Sequence, residues 1–120
     1  MDGSVIRHKE LSESIQWQQM PFAQQMANVG SEVFRAGKWK AKGRADRALT
    51  AFERALELLD FTVKAAVASR SGPRLRELLR LREVLCDYFY GDNQFGTTQE
   101  WINAYFNSFS IVASQQRYNT

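Results

Sequence analysis

The chain is short of the residues that staple, ligate or break structure. One cysteine, Cys86, and one histidine, His8, occur in 120 residues. A lone cysteine excludes an intramolecular disulfide and fits a reducing compartment. One His and one Cys build neither a zinc-ligand spacing nor a Cys–His nucleophile pair in the core. The sequence also lacks the Glu-x-x-His pairs of di-iron bundles, and it has no Gly-rich phosphate loop or Walker sequence. No apolar run approaches the ~18–20 residues that cross a bilayer. The opening MDGSVIRHKELSESIQ has no apolar h-region of a secretory signal. These absences lead to the expectation of a cytoplasmic, non-enzymatic chain without cofactor, metal or membrane partner.

Proline is scarce too, and both copies stand where helices begin: Pro21 and Pro73. The first turn tolerates proline because its N–H groups have no intrahelical partner. With Gly43, Gly72, Gly91 and Gly96 as further punctuation, the apolar spacing predicts helices over 21–42, 44–69, 73–90 and 98–116. Thr97 and Glu100 form a capping box for the fourth. Residues 1–20 make an N-terminal segment, loosely ordered or with a short helix around 9–19, and 21–120 form the main domain. No segment has the two-residue alternation of a strand. The fold class expected is all-α, with short connections favouring an up-and-down four-helix bundle.

What the sequence does have is apolar surface in abundance: 44% hydrophobic and 12% aromatic residues. In the first predicted helix, Phe22, Met26, Val29 and Val33 form a stripe. Ala23, Ala27, Gly30, Phe34, Gly37 and Ala41 form a second line, where small residues admit another helix. The second helix presents Leu49, Phe52, Leu56, Leu59, Val63 and Val67, with Leu58 and Phe61 on its polar side. The fourth presents Trp101, Ile102, Tyr105, Phe106, Phe109 and Val112. The third, RLRELLRLREVLCDYFY, is apolar over roughly two-thirds of its circumference. Such a band implies contact on more than one side, either centrally in the monomer or against another subunit. Ile15 and Trp17 of the N-terminal segment are the intramolecular alternative for covering surplus faces.

Charge is uneven. Residues 35–47 hold six basic residues against one acidic, leaving ten basic against twelve acidic elsewhere. Lys38, Lys40 and Lys42 suit a helix C-terminus, whereas Arg44 and Arg47 oppose the dipole at the start of the next helix. With Arg35, and with Trp39 as a stacking face, they are the candidate anion or nucleic-acid contacts. A second basic stretch, SRSGPRLR, falls at the other end of a bundle, ~30 Å away for a 20-residue helix. Arg82 projects into the apolar band between Leu75 and Phe89. An unpaired buried guanidinium costs several kcal/mol, so Arg82 is expected to meet a carboxylate, a run of backbone carbonyls or an anion, and the favoured reading is a buried ion pair with Glu32, Glu53, Glu57 or Asp60. Glu10 with Glu13, and Glu57 with Asp60, have the one-turn spacing of carboxylates that hold Mg²⁺ in all-α nucleotide pyrophosphohydrolases, but the first pair lies far from the second.

GRADRALTAFERALELLD resembles the second half of a tetratricopeptide repeat, with Gly43, Ala48, Phe52 and Ala55 on its small and aromatic positions. It occurs once, and solenoids need about three units, so it implies a helical hairpin. QMANVGSEVFRAGKWKAKG, RALTAFERALELLD and RLRELLRLREVLCDYFYGDNQF resemble segments of a family of small uncharacterised prokaryotic proteins. That resemblance spans nearly the whole chain and implies one intact helical domain. By architecture the chain is also similar to four-helix-bundle proteins of ribosomal intervening sequences and retroelement accessory factors, which form basic rings engaging nucleic acid. The function expected is a self-associating helical adaptor or accessory protein, a homo-oligomer with a protein partner. The alternative is nucleic-acid binding through the basic turn.

Overall fold

The computed structural model describes residues 12–118, and among these every regular element is a helix. The described part of α1 covers residues 12–19; α2 is Phe22–Ala41, α3 Ala45–Ala68, α4 Gly72–Phe89 and α5 Gln99–Tyr118. The main boundaries fall within two residues of those predicted. Positions 9–11 of the expected N-terminal helix lie outside the described residues.

The helix ends follow local chemistry. Pro21 stands at the N-cap of α2. In α4, Pro73 occupies the first turn and the Ser71 hydroxyl accepts the Arg74 N–H at 3.4 Å. Gly43 takes φ +75° and reverses the chain after α2, a conformation costly for a residue with a Cβ. At the start of α5 the capping differs from the predicted Thr97–Glu100 box. Thr98, one residue later, accepts the Trp101 N–H at 3.1 Å, and Thr97 instead donates its N–H to Asn93 Oδ1 at 2.9 Å.

Met26, Val29 and Val33 of α2 meet Phe52 and Leu59 of α3, Leu78 and Leu85 of α4, and Ile102 and Phe106 of α5 in one buried cluster. Each such side chain contributes ~1.5–3 kcal/mol through removal of apolar area from water. Helix α2 packs on α3 and on α5, and α3 packs on α4. The small-residue line of α2 is where α5 lies: a Cβ added at Gly30 would approach Phe106 Cβ to 2.7 Å.

The second face of α3 is covered from within. Trp17 of α1 is buried 6.3 Å from the Phe61 ring, and its indole N–H donates to Thr62 Oγ1 at 2.9 Å. Thr62 donates in turn to the Leu58 carbonyl, and the Gln25 amide donates to the Trp17 carbonyl at 2.7 Å. Leu58 and Phe61 are therefore core residues, while Leu49 and Val67, on the expected core stripe, are exposed towards the ends of α3. No helix among the described residues is long and apolar enough to cross a membrane.

Candidate functional site

Two regions retain unused chemistry: the basic end of the α2–α3 hairpin, and the gap between α4 and α5. At the first, Gly43 turns the chain so that both flanking helices present cations around one indole. Lys42, Arg44 and Arg47 lie 5.2, 5.9 and 4.7 Å from the Trp39 ring centroid. Cation–π attraction of ~0.5–1 kcal/mol at exposed sites offsets part of their mutual repulsion. Lys38 lies instead over Phe34 at 5.5 Å, and Lys40 reaches across to Tyr88 of α4 at 5.0 Å.

Arg35 pairs with Glu32 at 3.2 Å, and Arg44 with Asp46 at 3.7 Å. The six sequence candidates thus divide. Three gather at Trp39, two splay onto other rings, and Arg35 faces the α2–α3 groove. Arg54 joins that groove with Thr50, Arg47, Trp39 and Glu32. Sequence reasoning missed Arg54; the available signal was its spacing two helical turns beyond Arg47 on the same face.

The expected buried ion pair at Arg82 is corrected in one respect. The partner is Asp60, one of the four carboxylates considered, with Nε 3.4 Å from Oδ1, but the side chains keep 43% and 52% of their exposure. The reason is position: the pair bridges α3 and α4 at the outer edge of their seam, where both side chains reach solvent, while Leu78, Leu81 and Leu85 of the same helix are buried. Glu57 of the E-x-x-D pair is held by Arg54 at 2.6 Å, so both carboxylates of that spacing face guanidinium groups. Glu10 and His8 lie outside the described residues. Next to this seam, burial pushes the Cys86 thiol above its ordinary range, Arg82 opposes the shift and Asp60 adds to it. A thiol held protonated is a poor nucleophile.

The α4–α5 gap is an apolar groove of about 490 Å³. Leu81 and Val84 are buried at its floor, while Trp101 and Phe95 on its walls keep 49% and 51% exposure. Leu79, 48% exposed, adjoins Phe95 on the neighbouring surface of α4. Trp101 stacks on Tyr105 with centroids 5.5 Å apart, and the Tyr105 hydroxyl donates to Glu77 Oε2 at 2.6 Å across the gap. Burial first, then that bond, holds the Tyr105 phenol well above the usual tyrosine range.

Asp87 shapes one end of this groove. Its carboxylate accepts the Gln94 N–H at 2.8 Å and the Phe95 N–H at 3.1 Å, fixing the loop that carries Phe95. Arg80 lies 4.9 Å from the Phe95 ring centroid and 3.8 Å from Glu83. No protein-family model, curated protein or solved structure matches this chain.

Proposed function

We propose that the protein is a non-enzymatic helical accessory subunit that self-associates, with a second copy seated against the α4–α5 edge. One observation carries this reading: α5 packs on α2, α2 on α3 and α3 on α4, and the groove between α4 and α5 is walled by the half-exposed aromatic residues Trp101 and Phe95. The finer fold we infer is an up-and-down four-helix bundle, since short turns join α2 to α3 and α3 to α4. Contiguous exposed apolar surface rimmed by polar groups is characteristic of interaction sites.

A second copy is favoured by the charges of the rim. Glu77 and Arg80 stand one turn apart on α4, and most soluble homo-oligomers use a two-fold axis that pairs a patch with itself. Antiparallel α4 helices crossing near Leu79 bring Arg80 of each copy towards Glu77 of the other, twice. Of the other apolar surface counted from the sequence, Leu58 and Phe61 are covered by α1, and Gly30 and Gly37 of α2 by α5.

Light scattering on purified protein tests this. The wild-type mass is expected above that of one chain, and Leu79→Glu with Trp101→Glu should return it to monomer. Val67→Glu, at a similarly exposed position on α3, should leave it unchanged. A double variant that associates like the wild type would refute this placement of the interface.

A further inference from the structure

We propose that the groove between α2 and α3, beside the basic turn, is a site for phosphate groups, with Arg47 and Arg54 of α3 and Arg35 of α2 as its donors. It is distinct from the α4–α5 edge and does not depend on self-association. The groove measures about 570 Å³ and carries three guanidinium groups against one carboxylate, Glu32. Its register is built by helix geometry. Glu32, Arg35 and Trp39 are spaced three and four apart on α2, as are Arg47, Thr50 and Arg54 on α3, so each helix turns one continuous row towards the other.

The bonding state of the arginines favours an anion. The Arg47 guanidinium makes no hydrogen bond or ion pair among the described residues and lies over Trp39 at 4.7 Å. Arg35 and Arg54 each engage a carboxylate through Nη1 alone, leaving their other N–H donors for a ligand. A guanidinium offers five donors in a planar fork that matches phosphate oxygens two at a time. Arg35 is paired with Glu32 and Arg54 with Glu57, so Arg47 is the guanidinium of the groove whose charge no carboxylate offsets, and an incoming phosphate is drawn first to it. Lys38, Lys42 and Arg44 outside the groove add a long-range attractive field. The phosphate comes either from a nucleic-acid strand or from a small phosphorylated molecule, and both present the same oxygens.

The test uses the full chain with two probes: labelled single-stranded 20-mer RNA and DNA followed by polarisation, and inorganic pyrophosphate followed by calorimetry. Arg47→Ala with Arg54→Ala is expected to weaken whichever probe binds by about tenfold or more. Lys38→Ala with Lys42→Ala should weaken it by about threefold or less and flatten its salt dependence. Arg47→Lys with Arg54→Lys keeps the charge and removes the fork, so its affinity should fall between these. It also carries the test if circular dichroism shows that the alanine variant has lost helix. Strand binding without pyrophosphate binding assigns the phosphate to nucleic acid; the reverse assigns it to a small ligand. Absence of binding by any probe at low salt overturns the proposal, as does an arginine variant, folded, that binds like the wild type.

Discussion

At the scale of single residues, Tyr105 and Arg82 show how exposure sets the worth of a polar contact. The Tyr105–Glu77 bond spans the α4–α5 gap, and Tyr105→Phe should cost about 1 kcal/mol in thermal or urea unfolding. It should also change the alkaline limb. The folded state holds the Tyr105 phenol above its ordinary value of 10, so its contribution is full below pH ~10 and is lost as pH rises beyond it. Unfolding curves at pH 8 and pH 11 should therefore separate wild type from Tyr105→Phe at the lower pH and bring them together at the higher. Arg82 is the opposite case. Because its pair with Asp60 is half-exposed, Arg82→Ala should cost less than about 1 kcal/mol. A loss of about 3–5 kcal/mol, typical of breaking a buried pair, would show that the guanidinium is enclosed.

Among the elements, α2 and its turns show what the sequence disclosed and what it withheld. The glycines of α2 read correctly as a place for close helix approach, and the structure identifies α5 as the neighbour. Gly30→Ala should gain about 1 kcal/mol of helix propensity and lose about 1–3 kcal/mol to the clash with Phe106, a net destabilisation visible in urea unfolding. At the α3–α4 turn, Arg70 sits at φ 58°, where an L side chain is strained, so Arg70→Gly should raise stability by up to about 1 kcal/mol. Helix boundaries were legible because proline, glycine and apolar period act locally. The enclosure of Leu58 and Phe61 was not, because it depends on Trp17 arriving from 45 residues away to bond Thr62. The same limit applies to the candidate sites. The run of cations at 35–47 was plain in the sequence, but which of them would settle on Trp39, Phe34 or Tyr88 follows from helix packing. Arg54 and the loop-ordering carboxylate of Asp87 gave no comparable local signal.

For the whole molecule, the width of the α4 apolar band posed a choice between a central helix and one with two partners. With α3 on one side and a groove lined by half-exposed Trp101 and Phe95 on the other, α4 offers the face on which the proposed self-association rests. Its rim charges make a specific demand. Arg80→Glu alone should weaken association by placing like charges opposite Glu77 of the second copy, and Glu77→Arg should weaken it likewise. Combining the two restores complementarity and should recover the wild-type mass. The most direct measurement is sedimentation equilibrium of the unmodified full chain from micromolar to submillimolar concentration. Self-association through this edge requires the weight-average mass to rise with concentration towards twice that of one chain. A single-chain mass across the whole range would contradict it.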